Sequence, residues 1–123
     1  MNKNVKFIAW EKNLKEVIEV RDIDFKSNLI NTGGIWRYLN EVELLQYTGF
    51  KDKNGKEIYD GHVLHNEDYW PIRIEYDNGS FMVRDLDEVR YNNKCLNCDI
   101  RNFDISKWEI TDIIYNVGED NNG

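Results

Sequence analysis

The chain has two histidines, His62 and His65, and two cysteines, Cys95 and Cys98, each pair closely spaced. Brought together they would offer two imidazole nitrogens and two thiolates, the ligand set of a tetrahedral zinc ion. Spacing argues against that use. If both histidines lie on one strand, an odd separation sends their side chains to opposite faces, and H-x-x-H is shorter than the usual zinc-finger interval. Cys95-Leu96-Asn97-Cys98 is a lone C-x-x-C. A redox site of that pattern needs a strand before it and a helix N-terminus to stabilise the first thiolate, and neither pattern flanks it. The expectation is a pair of reduced thiols in a loop, with no metal and no cofactor.

Oxygen chemistry fares no better. Asp52-x-Asn54-Gly55 resembles the start of a calcium loop, but the EF-hand glycine follows three alternating oxygen ligands and precedes a distant glutamate; Gly55 comes too early. Carboxylates for acid-base catalysis are plentiful, yet Asp60, Asp77, Asp85 and Asp87 would have to converge from separate turns. Solvated turn positions explain them more simply. Ser27, Ser80 and Ser106 are far in sequence from either histidine, and there is no glycine-rich phosphate loop or nucleophile elbow. No catalytic residue is assigned, and the expectation is a protein that is not an enzyme.

The elements that would position these residues read as strands. Hydrophobic residues make up 41% of the chain and aromatics 13%, enough for one compact core or two small ones. Seven tyrosines and four tryptophans against a single proline favour pleated sheet. Residues 5–10 and 14–25 read as strands, the second with an irregularity near Arg21-Asp22. Residues 26–40, with Asn28, Asn31, Thr32, Gly33 and Gly34, read as a long loop that Trp36 either anchors to the core or offers to a partner. Asn54-Gly55 between Tyr47, Phe50, Ile58 and Tyr59 predicts a hairpin with a type I′ turn, and Asp77-Asn78-Gly79 a second hairpin between alternating Ile72, Ile74, Tyr76 and Phe81, Val83. Residues 85–106 read as an irregular insertion with a short helical turn near 86–91, and residues 108–115, where Trp108, Ile110, Asp112 and Ile114 alternate with Glu109, Thr111, Ile113 and Tyr115, as a closing strand.

At the central hairpin the chain resembles a known family. Gln46-Tyr47-Thr48-Gly49-Phe50-Lys51-Asp52-Lys53-Asn54-Gly55-Lys56-Glu57-Ile58-Tyr59-Asp60-Gly61 is similar to the central signature of the YopX family, small proteins of bacteriophages and prophages. Lys6 to Trp10, Glu75 to Phe81 and Trp108 to Asn116 resemble, in the expected order, the family's opening strand, second hairpin and closing strand. Two departures stand out: His62 occupies a position usually acidic in the family, and Ile113 to Gly118 replaces an ending that usually contains proline. The resemblance implies a mainly β fold with a barrel-like C-terminal part, and it implies no catalytic residues.

Together these readings give a mainly β fold: a small antiparallel sheet packed with an SH3-like or partly closed β-barrel, with few or no long helices. The expected organisation is an N-terminal β subdomain over residues 1–43, a barrel-like subdomain over 44–117 and a disordered tail over 118–123. A net charge of −7 argues against general nucleic-acid binding, which draws its affinity from clustered Lys and Arg. No apolar run is long enough to cross a bilayer and no signal peptide opens the chain, so the cytoplasm of a bacterial host is expected. The expected function is that of a phage-derived accessory protein that binds a protein partner or another copy of itself, with Trp36, Tyr47, Tyr59, Asp60 and Trp70 as contact candidates. The alternative is an acidic nucleic-acid mimic that occupies a host DNA-binding protein.

Overall fold

A computed structural model describes residues 6–86 and 96–116. The architecture is mainly β with antiparallel sheets and, among the described residues, no long helix, as the alternating patterns predict. Among the described residues no helix is long and apolar enough to cross a membrane. Contacts divide the chain into two units, Met1–Tyr47 and Thr48–Gly123. The division falls inside one ten-residue strand.

The first unit holds β1 (Phe7–Glu11), β2 (Glu16–Glu19), β3 (Asp22–Asp24), β4 (Leu29–Asn31), β5 (Trp36–Tyr38) and the start of β6 (Val42–Lys51). In its larger sheet β1 lies between β2 and β6, with Ile8 opposite both Glu19 and Leu45. The irregularity expected near Arg21-Asp22 is where the chain leaves β2 and enters β3. The second sheet is a three-stranded ribbon, β3-β4-β5, whose central row is Ile23, Ile30 and Arg37. Ala9, Ile30 and Val42 form the buried core, with Ile18, Val20, Ile23, Leu39 and Leu44 packed around it. A valine, leucine or isoleucine taken fully from water, as Ile30 is, contributes about 1.5–3 kcal/mol.

The ribbon overturns the expectation of a long loop over residues 26–40. Those residues form β4, β5 and a 3-10 turn, Leu39–Glu41. The Asn- and Gly-rich composition serves two tight connections. Asn28 takes a left-handed conformation (φ 60°), the Asp24 carboxylate accepts the N–H groups of Lys26 and Ser27, and Asn31 Oδ1 accepts that of Gly34. A run of turn-forming residues dense enough to look unstructured thus closes two hairpins whose strands are three residues long.

The second unit takes the rest of β6, which neighbours β7 (Glu57–Tyr59), and a five-stranded antiparallel sheet curled into a half-barrel. Its strands are β8 (His62–His65), β9 (Ile72–Asp77), β10 (Ser80–Asp85), β11 (Asn97–Asp99) and β12 (Glu109–Ile113), in the order β11-β10-β9-β8-β12. Ile58, Leu64, Ile72, Ile74, Val83, Ile100, Ile105 and Trp108 fill its core.

The two Asn-Gly hairpins differ. At Asn78-Gly79 both residues have positive φ (52° and 86°), which gives the type I′ turn that suits strand twist. At the β6-β7 connection only Gly55 does (φ 83°), and the bonds from Gly55 N–H to Asp52 O and from Asp52 N–H to Lys56 O close a three-residue loop. The type I′ expectation there is corrected. The Asp52 carboxylate accepts the N–H groups of Asn54 and Lys56, and this side-chain turn selects the longer loop.

Residues 96–107 are more than an insertion. They supply β11 and two 3-10 turns, Ile100–Asn102 and Ile105–Lys107, which bury Ile100 and Ile105. Residues 87–95, with most of the expected helical turn, and the expected tail at 118–123 lie outside the described residues. The closing strand does not alternate strictly. A register shift between Ile110 and Asp112 brings both Ile110 and Ile113 inward, and residues 114–116 leave the strand for a helical turn.

Candidate functional site

In the second unit the groups with chemical potential hold up the β6-β7 hairpin and its surroundings. Asp52 is 5% exposed; Oδ1 accepts from Asn54 N–H at 2.8 Å and Lys56 N–H at 2.9 Å, and Oδ2 from Ile110 N–H at 3.1 Å on β12. Burial pushes its pKa up, but the three N–H donors and the charge of Lys56 outweigh burial and hold it below the usual carboxylate value. His62 Nδ1 accepts from Tyr59 N–H at 2.9 Å, which places the proton of the neutral ring on Nε2. Burial lowers its pKa to about 4, against the pull of the Asp52 charge.

His62 therefore makes stability depend on pH. The unfolded imidazole titrates near 6.5 and the folded one near 4, so the unfolded chain binds the extra proton between those values. The stabilisation is complete above pH 6.5, falls as the pH drops, and has lost about 3 kcal/mol by pH 4. The expected result is that the urea midpoints of the wild type and a His62→Gln variant converge as pH falls from 7 to 4. A constant difference would show that the ring is not held neutral.

The three described residues of the zinc hypothesis, His62, His65 and Cys98, are not assembled into a metal site. His62 is committed to Tyr59, His65 is exposed at the other end of β8, and Cys95 lies outside the described residues. Cys98 packs against the half-barrel core, where burial, then the charge of Asp99, raises its thiol pKa. Among the described residues no group of three or more His, Cys, Asp or Glu side chains is arranged to hold a metal ion.

The carboxylates are dispersed too. On the outer face of β9-β10-β11, Arg84 bonds to Glu75 and Asp77, each at 2.9 Å, and to Asn97 Oδ1, while Arg73 donates to the carbonyls of Asp85 and Leu86. Asp99 pairs with Arg101 at 2.7 Å, Asp104 with Lys107 and Glu109 with Lys53. Of the four carboxylates considered for catalysis, Asp60 accepts from Tyr76 N–H, Asp77 pairs with Arg84, Asp85 accepts from Leu96 N–H, and Asp87 lies outside the described residues.

The five contact candidates are placed unequally. Tyr59 is buried, its hydroxyl bonded to Glu57, and Asp60 is half-buried. Tyr47 is half-buried, with Lys6 Nζ 5.4 Å from its ring centroid. Trp70 is exposed in the connection between β8 and β9. Trp36 is 52% exposed and does not stand alone: two positions along β5, on the same face, Tyr38 is 60% exposed.

That face is the outer side of the β3-β4-β5 ribbon. Ile23, Ile30 and Arg37 turn inward; Asp22, Asp24, Leu29, Asn31, Trp36 and Tyr38 occupy the alternate positions. A groove of about 530 Å³, lined by Ser27, Asn28, Tyr38, Leu39 and Asn40, runs along its end. The inner row is fixed by Arg37, whose guanidinium donates to Glu11 Oε2 at 3.1 Å. Glu11 Oε1 in turn accepts the N–H groups of Asn13 and Leu14, so a buried carboxylate clamps β5 to the end of β1.

The family model described as YopX protein matches residues 6–117. The chain belongs to the YopX family. Among solved structures it is similar to protein EF1440 from Enterococcus faecalis, known from a crystal structure, at 25% identity over 94% of this chain and 96% of that one, with a TM-score of 0.65. No curated protein gives a match.

Against the YopX pattern the departure at His62 acquires a physical meaning. Nδ1 accepts the Tyr59 N–H, an acceptor role that a carboxylate could also fill and that a neutral ring fills in this chain. Sequence reasoning missed Tyr38, Asp22 and Asp24 as partners of Trp36 because it read a loop where there is a ribbon. The signal was present: Trp36-Arg37-Tyr38 alternates aromatic, charged, aromatic.

Proposed function

We propose that this YopX-family chain is a phage- or prophage-derived accessory protein of the bacterial cytoplasm that works by binding a protein partner and catalyses no reaction. The observation that carries this reading is the pair Trp36 and Tyr38, half or more exposed on one face of a strand whose Arg37 is turned the other way, to Glu11. Large aromatics standing side by side on a rigid strand have the character of interface hot spots, because they offer much contact area at little entropic cost. The network of caps and ion pairs that occupies the carboxylates of the second unit fits a structural use of those groups.

The test is capture of host protein by the wild-type chain and by a Trp36→Ala/Tyr38→Ala double variant. The expected result is a specific partner retained by the first and lost by the second, while amide exchange in β1, β4 and β6 stays unchanged. Equal capture by both would sink the assignment of the face.

A second reading, the acidic mimic, is favoured by the distribution of charge. Residues 1–47 carry seven Lys or Arg against seven Asp or Glu, and residues 48–123 carry nine against sixteen, so the whole net charge of −7 resides in the second unit. A mimic needs carboxylates presented to a basic partner, whereas Glu75, Asp77, Asp99, Asp104 and Glu109 each lie beside an Arg or Lys of the same unit. Partner binding that survives Trp36→Ala/Tyr38→Ala and falls steeply with salt would favour this reading over the first.

A further inference from the structure

We infer that the outer face of the β3-β4-β5 ribbon accepts an extended peptide segment that carries arginine or lysine between apolar residues. This rests on the assignment of that face as the partner surface and adds the chemistry of what binds there.

Charge complementarity points to the occupant. Six residues project outward from the three strands, and their types are sorted by strand: Asp22 and Asp24 on β3, Leu29 and Asn31 on β4, Trp36 and Tyr38 on β5. The pairing register aligns them in two rows, Asp22-Asn31-Trp36 and Asp24-Leu29-Tyr38. Each row runs from a carboxylate to an aromatic ring across two strand spacings, roughly 10 Å. None of the six is cationic, and Arg37, the strand's own cation, is turned to the opposite side, where it pairs with Glu11. Asp24 keeps its charge throughout the neutral range, since the hydroxyl and N–H of Ser27 and the N–H of Lys26 hold its pKa below the usual value.

An arginine or lysine side chain lying across such a row sets its charged head against the carboxylate and its methylene stem over Leu29 or Asn31, while the apolar residue beside it in the peptide packs on the aromatic ring. An acidic side chain at the same place would face repulsion from both aspartates. Shape favours an extended segment. The groove beside Tyr38 is lined by the polar side chains of Ser27, Asn28 and Asn40, which can bond to a peptide backbone running past. Simple lengthening of the ribbon is blunted at the β5 edge. With Arg37 and Ile30 as the hydrogen-bonded pair, Tyr38 N–H points outward, and Glu41 Oε1 accepts it at 3.3 Å.

The experiment titrates the full chain, labelled for NMR, with three capped hexapeptides that differ only at two positions: Gly-Leu-Arg-Leu-Arg-Gly, the same peptide with glutamine for arginine, and the same with glutamate. The arginine peptide is expected to move the resonances of Asp22, Asp24, Tyr38 and the Trp36 indole. An Asp22→Asn/Asp24→Asn variant, which keeps side-chain size, is expected to bind it about tenfold more weakly. If all three peptides shift the same residues equally, the face binds peptides but the preference for cations is overturned, and the assignment of the face stands. If the arginine peptide instead moves resonances of the acidic second unit, or none of the peptides moves the ribbon, the inference is overturned, and the capture experiment with Trp36→Ala/Tyr38→Ala still decides the assignment on its own.

Discussion

Asp52→Ala is expected to destabilise the second unit by about 3–4 kcal/mol, measured as the loss in urea-unfolding free energy or in amide protection across β8, β9 and β12. Three backbone donors lose their acceptor at once: Asn54 and Lys56 in the loop, and Ile110 on the closing strand. The loop donors can turn partly to water, which keeps the total below the sum of three charge-assisted bonds. Ile110 N–H has less recourse, because the residue packs against the half-barrel core. Asp52→Asn separates the contributions: its remaining oxygen serves the loop, but its amide nitrogen then faces Ile110 N–H, donor against donor, and about 2 kcal/mol should be lost. A loss under about 1 kcal/mol for the alanine variant would mean that the loop and β12 are held by their other bonds, among them Lys53 N–H to Trp108 O.

The second large effect is expected in the first unit. Glu11→Ala should cost about 3–5 kcal/mol, because it leaves the Arg37 guanidinium without its counter-ion and takes the acceptor from the N–H groups of Asn13 and Leu14, which turn to water. The effect should be asymmetric. Arg37→Met removes a group whose Nε has no hydrogen-bond partner and replaces it with an apolar stem beside Ile30 and Ile23, while Glu11 keeps its two backbone donors. That variant should cost less than half as much, or nothing. Amide exchange in β1, β4 and β6 reports the difference, and equal costs for the two substitutions would show that the ion pair, not the backbone caps, gives Glu11 its weight.

These two carboxylates also mark where sequence reading fails. Asp52 was legible as a turn residue, but not as the tie between a hairpin and the strand that ends the half-barrel, because its third partner lies far along the chain. Glu11 falls in the gap between the strands expected over residues 5–10 and 14–25, yet it ends β1 and is 2% exposed. Nothing in its neighbours' types signals a buried acid. The signal lies in Arg37, which reaches it only once the ribbon has folded back.

What the sequence determined by itself was the local grammar: antiparallel strands at the alternating segments, a hairpin at Asn78-Gly79, a break at Arg21-Asp22, and membership of the YopX family. These follow from backbone preferences and a period of two, which act over a few residues. Tertiary structure alone decided that residues 26–40 form a ribbon, that the parity of β12 flips at Thr111, that His62 is a buried acceptor, and that Trp36 shares its face with Tyr38 and two aspartates. Each of these depends on which strand lies alongside which. Pairing fixes inside and outside for every side chain on a strand, and it is set by contacts between residues that the sequence keeps apart.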